Sequence, residues 1–265
     1  MAKRATRKSA KRLARETFET GEYNGGNVHS LFDTDSWSPV DENYGNKRGN
    51  AKQEQRDTKY RKNIKAQNES QQQFMDALDE YSLVIASGPA GTGKTYVAVA
   101  KAVEALEKGQ VSRIVLSRPA VEAGESLGFL PGDMEEKLSP YLRPLYDALS
   151  DRLSTKRLKA LMAENIIEIA PIAYMRGRTL NNAYVVIDEA QNCTYVQLKM
   201  LLTRLGWHST MVITGDPQQS DLLPGMSGLE DIANKLDKLD TIKVINFSDK
   251  DVVRHPLVAE MIGVL

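Results

Sequence analysis

Residues 88–95 read Gly-Pro-Ala-Gly-Thr-Gly-Lys-Thr, which is the pattern G-x-x-x-x-G-K-T. The run 86–95, which contains this pattern, directly follows an apolar segment, 82–85, and directly precedes a helix-like segment, 96–107. In this context, successive backbone N–H groups form a concave anion site, and the N-terminus of the helix adds partial positive charge. The sequence therefore predicts a P-loop, and the chain must fold so that a strand leads through a phosphate-binding loop into a helix.

The positions of this loop have distinct predicted roles. Glycines allow the backbone to approach phosphates without a side-chain clash. Lys94 is expected to reach the β- and γ-phosphates, and the Thr95 hydroxyl to ligate Mg²⁺. A glycine-rich turn without a ligand is the alternative, which the flanking strand and helix disfavour. The predicted nucleotide-binding residues are Gly88, Pro89, Ala90, Gly91, Thr92, Gly93, Lys94 and Thr95.

From about residue 63 onward, strand-like and helix-like segments alternate, which indicates an α/β fold with a mostly parallel sheet. Continuous apolar strands without alternation indicate burial on both faces. The predicted strands are 83–86, 113–117, 166–169, 184–187, 211–214 and 242–246. The predicted helices are 70–78, 94–108, 140–149, 154–164, 194–205 and 228–238.

The net charge of the chain is zero, but the charge is unevenly distributed. Residues 1–65 carry 15 Lys/Arg against 9 Asp/Glu, and residues 1–15 carry seven basic residues and no acid. Residues 1–62 also have no sustained apolar period, so we expect a flexible basic arm, followed by one domain over 63–265. Such arms often contact nucleic-acid phosphates, although a solvated tail is an equal alternative.

Cysteine usage and hydropathy indicate the compartment. The single cysteine, Cys193, cannot form an internal disulfide, and its context indicates a small buried residue rather than a nucleophile. The chain has neither an apolar run near 18 residues nor a signal peptide. We therefore expect a cytoplasmic protein without membrane association.

An acidic pair follows the fourth predicted strand. Asp188 and Glu189 come directly after Tyr-Val-Val-Ile, and a buried strand that ends in two acids suits a Mg²⁺-dependent phosphoanhydride hydrolase. Asp188 is expected to hold the metal and Glu189 to polarise the attacking water. Acids enriched at a helix N-terminus are the alternative. The upstream P-loop favours the hydrolytic interpretation.

Polar residues elsewhere complete the candidate site. Thr214 ends the fifth predicted strand and Gln219 follows it. Both are expected between the P-loop and the acids, where either can sense the γ-phosphate. An ordinary turn is the alternative. Gln71 precedes the first strand, and its amide can bond the adenine edge, although Gln72 or Gln73 are equally placed.

An arginine is also expected to take up transition-state charge. The candidates are Arg118, Arg143, Arg176, Arg178 and Arg254, of which Arg254 is preferred.

The chain resembles the PhoH family of P-loop ATPases over roughly residues 65–260. Besides the P-loop, the resemblance rests on Ser-Arg-Pro-Ala-Val-Glu-Ala-Gly-Glu at 117–125, Asp-Glu-Ala-Gln-Asn at 188–192 and Asp-Val-Val-Arg-His-Pro-Leu-Val at 251–258. Further matching segments are 127–133, 140–147, 167–171 and 176–180. Pro217 departs from the family pattern, which has an aliphatic residue there. The resemblance implies a three-layer, RecA-like P-loop NTPase core, similar to that of superfamily 1 helicases.

The same resemblance implies ATP and Mg²⁺ as cofactors and ATP hydrolysis linked to RNA or single-stranded nucleic acid. A two-lobed helicase places ATP between two cores, whereas this chain has residues for one core. We therefore expect a closed homo-oligomeric ring, a hexamer, in which a neighbouring subunit completes the site. The alternative is a nucleotide-switched RNA-binding protein that serves a partner ribonuclease without helicase activity. A small-molecule kinase is disfavoured, because no arginine-rich lid segment is evident.

Overall fold

A computed structural model describes residues 64–119 and 134–253, with residues 134–140 described by their backbone alone. Six parallel strands form one sheet in the order β3-β2-β4-β5-β1-β6. The apolar, β-branched composition of these segments favours extended backbone. The strands are β1 Leu83–Ser87, β2 Arg113–Ser117, β3 Ile167–Ile169, β4 Ala183–Ile187, β5 Thr210–Gly215 and β6 Lys243–Asn246.

Six α-helices connect and cover the strands in the described part of the chain. Several begin at a residue whose side chain accepts a hydrogen bond from the first turn, as Thr194 does from the N–H of Gln197 at 3.3 Å. The helices are α1 Glu69–Glu80, α2 Lys94–Glu107, α3 Met134–Ser150, α4 Thr155–Ala163, α5 Tyr195–Leu202 and α6 Leu229–Leu236. Short 3₁₀ turns lie at Ile172–Met175, Ala190–Asn192, Pro217–Gln219 and Asp249–Asp251.

The core lies on both faces of the sheet. Every residue of β1 and of β4 is buried, as expected for central parallel strands. Helices α5 and α6 cover one face, where Leu198, Leu229 and Ile232 pack on the strands. Helices α1 and α2 contact the strands as well, so the sheet is the middle layer of a three-layer α/β fold.

The predicted fold class is confirmed, and each predicted strand and helix is present. The largest difference concerns α3, which was expected to begin at Pro140 but begins at Met134. Proline is favoured in the first turn of a helix, whereas Pro140 lies beyond the first turn of α3. The preceding residues include Glu135, Glu136 and Lys137, which are good helix formers, and they continue the helix toward its N-terminus.

The sheet order positions the site. The C-terminal ends of all six parallel strands lie at one edge, and β5 lies between β4 and β1. Ala86 is paired with Thr214, and Ile187 with Ile213. The end of β5 therefore separates the P-loop, which follows β1, from the acidic pair, which follows β4. This is the arrangement expected for Thr214.

No helix in the ranges 64–119 and 134–253 is both long and apolar enough to span a bilayer. Residues 1–62 lie outside the described residues, so the basic arm stays a prediction.

The packing of α1 on the edge strand β6 depends on an aromatic pair. The Phe74 ring is fully buried and meets the Phe247 ring edge-on, with centroids 5.8 Å apart. We expect Phe74→Ala to lower the free energy of unfolding by about 3–5 kcal/mol, because it leaves a cavity in the core. Chemical denaturation measures this loss. Leu239→Ala, at a half-exposed position, is the control, and losses of equal size in the two variants would contradict the assignment.

Candidate functional site

The P-loop is held against two strand ends by backbone contacts. The N–H of Gly88 donates to the carbonyl oxygen of Gly215 at 3.1 Å, and the N–H of Phe247 donates to that of Ser87 at 2.7 Å. Gly88 has φ of 138°, and a Cβ there would lie 2.3 Å from the Phe247 carbonyl oxygen. Only glycine therefore allows the loop to pass so close to the end of β6.

Lys94 lies at the first position of α2 with its ammonium group inside the loop. Its Nζ donates to the carbonyl oxygens of Gly88 and Pro89, both at 2.7 Å, and to the Thr92 hydroxyl at 3.2 Å. Burial lowers the pKa of Lys94 below its ordinary value, while the carboxylates of Asp216, Asp188 and Glu189 act in the opposite direction. The ammonium group is thus partly desolvated and bonded to carbonyl dipoles, which suits it to bind phosphate oxygens in exchange.

Gln71 supports the P-loop from α1. Its Nε2 donates to the Thr92 carbonyl oxygen at 2.9 Å, and its Oε1 accepts from the Gln67 N–H at 2.8 Å. A Cβ at Gly93 would lie 2.9 Å from Nε2, so any other residue there would displace the Gln71 amide. A cavity of about 390 Å³ adjoins these residues, and Ile64, Tyr96 and Val253 form apolar parts of its wall. One amide hydrogen on Nε2 and one lone pair on Oε1 are not used in these two bonds. These are the groups with which Gln71 can contact a base, and that contact stays a prediction.

Asp188 joins the P-loop helix to two strand ends. Its side chain is buried, and Oδ1 accepts from the Thr95 hydroxyl at 2.6 Å and from the Thr214 hydroxyl at 2.7 Å. The other oxygen, Oδ2, lies 3.7 Å from Nη1 of Arg118. A buried carboxylate requires such partners, because desolvation without them is costly.

Glu189 has a backbone conformation that is unusual for a non-glycine residue. Its φ of 54° and ψ of 40° are left-handed, so the chain turns sharply after Asp188. Such strain concentrates at functional sites. The carboxylate is held at both oxygens: Oε1 lies 3.2 Å from Nη2 of Arg118, and Oε2 accepts from the Gln191 amide.

Gln191 is a site residue that sequence reasoning did not assign. The side chain is almost fully buried, and besides contacting Glu189 its Oε1 accepts from the Asp216 N–H at 3.0 Å. Its Nε2 also lies 3.4 Å from the Gln219 carbonyl oxygen, and its backbone oxygen accepts from Ser220 Oγ at 3.0 Å. Gln191 therefore ties the acidic turn to the segment after β5. Its position in the run Asp-Glu-Ala-Gln-Asn was the available signal.

A cavity of about 260 Å³ brings several predicted residues together. Lys94, Thr95, Asp188, Glu189 and Gln219 all line it. The Asp216 carboxylate, which accepts from the Ala90 N–H at 3.2 Å, lies at the same wall.

The donor set fits a hard divalent cation. Thr95 Oγ1 and the Asp188 carboxylate supply adjacent oxygens, which are the ligands that Mg²⁺ prefers. No group of three or more His, Cys, Asp or Glu residues that could hold a metal lies in the described ranges. One carboxylate, one hydroxyl and substrate phosphates are a usual environment for Mg²⁺, which needs no protein cage.

The arginine candidates differ in their surroundings. Arg178 is bound at both Nη atoms by the Glu168 carboxylate, at 2.6 and 2.7 Å, which gives it a structural partner. Arg143 and Arg176 are exposed. Arg254, the preferred candidate, lies outside the described residues. Arg118 is the candidate that contacts the acidic pair.

The interpretation of Cys193 as a buried, inert residue is confirmed. Its side chain is fully buried, and burial raises the pKa of the thiol to about 12. Burial therefore disfavours the thiolate, which is the reactive form of cysteine.

Comparisons with known proteins agree with this geometry. The family described as PhoH-like protein matches residues 63–265. A PhoH-like protein of Bacillus subtilis is 57% identical over 202 residues, which cover 76% of this chain and 63% of the relative. Protein PhoH of Escherichia coli is 45% identical over 205 residues, which cover 76% of this chain and 58% of the relative. The chain thus spans less than two thirds of the length of these relatives.

Among solved structures, the chain is similar to the large terminase of a thermophilic bacteriophage. The identity is 13%, the TM-score is 0.46, and the match covers 73% of this chain and 49% of the terminase. This likeness is weak, so the fold assignment depends on the sheet order and the P-loop described above.

The role of Gln191 can be tested without any ligand. We expect Gln191→Ala to speed amide hydrogen exchange at Asp216 by roughly tenfold or more, because the N–H loses its acceptor. Exchange measured by NMR or mass spectrometry reports this change. Gln218→Ala, an exposed glutamine two residues away from Asp216, is the control. Unchanged exchange in Gln191→Ala would show that the network does not depend on this amide.

Proposed function

Because the chain belongs to the PhoH-like protein family, we propose that it hydrolyses ATP in a Mg²⁺-dependent reaction at the 260 Å³ cavity. The observation that carries the proposal is the joining of the P-loop to the acidic pair. Thr95 and Asp188 are hydrogen-bonded at 2.6 Å, and Glu189 lines the same cavity. A phosphate-binding loop, a metal-ligand pair and a carboxylate that faces water are together what hydrolysis requires.

In the proposed reaction, a water oxygen forms a bond to the γ-phosphorus. The bond between that phosphorus and the β–γ bridging oxygen breaks, and its electron pair stays with ADP. Glu189 accepts a proton from the water, and Lys94 bonds the β- and γ-phosphate oxygens. Mg²⁺, held by Thr95 and Asp188, offsets the negative charge of the phosphates when bound. The P-loop N–H groups orient the triphosphate, and we assign to Gln219, which lines the cavity wall, the sensing of the γ-phosphate.

We place the base in the neighbouring 390 Å³ cavity. Gly91, Gly93 and Tyr96 line both cavities, so a nucleotide can extend continuously from one to the other. Gln71 keeps the loop in place and offers its remaining amide groups to the base.

The second part of the proposal is that hydrolysis is coupled to RNA or single-stranded nucleic acid in the cytoplasm, by a homo-oligomeric ring. The basic arm supports this coupling, since residues 1–15 carry seven positive charges and no acid. The alternative is a nucleotide switch that binds RNA, as a scaffold for a partner ribonuclease, without helicase activity. The effect of removing the Glu189 carboxylate distinguishes these two functions, because a pure switch binds RNA whether or not this carboxylate is present.

Two substitutions test the hydrolytic site. We expect Glu189→Gln to lower ATP turnover by about a hundredfold or more while nucleotide affinity remains, because the amide cannot accept the proton. Lys94→Ala is expected to lose affinity for the triphosphate itself. Steady-state turnover and binding of a fluorescent ATP analogue, both with Mg²⁺, measure the two effects. Glu164→Gln, at an exposed position after α4, is the matched control. Wild-type protein without Mg²⁺-dependent turnover would contradict the proposal.

The coupling to nucleic acid is tested with the arm. We expect removal of residues 1–15 to weaken binding of single-stranded RNA and to reduce the slope of log K against log salt, because phosphate contacts release counterions. Fluorescence anisotropy with an oligouridylate and an oligothymidylate, from low to moderate salt, measures both quantities. Equal RNA affinity at low salt with and without residues 1–15 would show that the arm does not bind.

A further inference from the structure

Arg118 bridges the two acidic side chains of the site. Its Nη2 lies 3.2 Å from Oε1 of Glu189, and its Nη1 lies 3.7 Å from Oδ2 of Asp188. The side chain is only 20% exposed, so the guanidinium group is largely shielded from water. Among the described residues, no other arginine or lysine forms an ion pair with either carboxylate.

The backbone fixes the position of Arg118 next to the acids. Strands β2 and β4 are parallel neighbours, with Ser117 paired to Ile187. The ladder continues one residue further, because the Asp188 N–H donates to the Ser117 carbonyl oxygen at 2.8 Å. Arg118 and Asp188 therefore leave the sheet side by side, from adjacent strand ends of one chain.

The hydrogen bonds divide the carboxylate oxygens into two sets. One oxygen of Asp188 is bonded by the Thr95 and Thr214 hydroxyls, and one oxygen of Glu189 by the Gln191 amide. The two remaining oxygens are those that face Arg118. A guanidinium presents its N–H groups in a rigid planar fork, which can bond two acceptors at once, whereas an ammonium group is a point charge.

We infer that Arg118 is a positioning residue of the hydrolytic site, which acts through Glu189 of the same chain. The fork holds the Glu189 carboxylate in the orientation from which it receives the proton of the attacking water. It also offsets the repulsion between two adjacent carboxylates, one of which faces the metal and the other the water. The inference rests on the proposed ATP hydrolysis and adds to it the residue that orients the base.

The planar shape of the Arg118 guanidinium and its positive charge are expected to affect kcat differently. If orientation matters, Arg118→Ala lowers kcat by about a hundredfold, because a displacement near 1 Å at a reacting group has effects of that size. The KM for ATP and the affinity for ADP stay close to wild type, since the P-loop is unchanged. Arg118→Lys keeps the charge without the fork and is expected to restore only a small part of kcat.

The experiment compares Arg118→Ala and Arg118→Lys with Arg113→Ala. Arg113 begins the same strand at the opposite edge of the sheet, and its side chain bonds the Asn181 carbonyl oxygen at 3.4 Å, away from the acidic pair. Steady-state ATP turnover gives kcat and KM, and thermal unfolding confirms that each variant is folded. Unchanged kcat in Arg118→Ala, a rise in KM alone, or full activity in Arg118→Lys would each overturn the inference.

A double variant tests whether Arg118 acts through Glu189. Residues that act as a unit are strongly non-additive. We therefore expect Arg118→Ala to lower turnover little further in a Glu189→Gln background, although it lowers wild-type turnover strongly. Losses that multiply in the double variant would overturn the inference, since they would assign Arg118 a separate role.

Mixing two single variants tests whether Arg118 acts within its own chain. If Arg118 acts within its own chain, each subunit of a mixed assembly lacks either Arg118 or Glu189. Mixed assemblies are then no more active than the single variants. If Arg118 instead served a neighbouring subunit, mixing would restore complete sites and turnover, which would overturn the inference while leaving the proposed ATP hydrolysis intact. Inactive wild-type protein would overturn both the function and the inference.

Discussion

The hydrogen bond from Thr95 to Asp188 joins the two halves of the nucleotide site. It is 2.6 Å long and connects the first turn of α2 to the residue that follows β4. The strand that leads into the P-loop, β1, is not adjacent to β4 in the sheet, because β5 lies between them. Thr214, at the end of β5, bonds the same Asp188 oxygen at 2.7 Å, so the intervening strand takes part in the connection. The position of the metal-binding oxygens therefore depends on the register of three parallel strands.

Much of this arrangement could be predicted from the sequence. The glycine pattern of the P-loop, the acids after a continuous apolar strand and the polar end of β5 are local signals, and parallel strands bring their C-terminal ends to one edge. This rule places Thr95, Asp188 and Thr214 at the same edge, and the sheet order then brings them into contact. The role of Arg118 did not follow, because it depends on which strand neighbours β4. Five arginines were plausible until the sheet order placed β2 beside β4.

The turn after Asp188 was also beyond prediction. Regular alternation along an extended strand would place the two carboxylates on different sides. Both line the same cavity, because Glu189 adopts a left-handed conformation and the chain turns there. This conformation costs about 1 kcal/mol for a residue with a Cβ, and the contacts with Gln191 and Arg118 offset it. No local sequence signal marks such a residue, since its strain is compensated by residues on other elements.

The contacts of Arg118 with Asp188 and Glu189 affect how the proposed reaction stabilises the γ-phosphate. The positive charge of Arg118 is already offset by the two carboxylates that it faces, so it adds little net positive charge on the phosphate side. Among the residues that the structure describes, Lys94 then supplies the positive charge on the phosphate side, and phosphoryl transfer commonly requires a further arginine there. Arg178 is bonded by Glu168, which leaves it unsuited to that task. A residue from a neighbouring subunit would meet the requirement. The orientation of the water and the stabilisation of the phosphate would then have separate arginines, one within the chain and one contributed by the proposed ring.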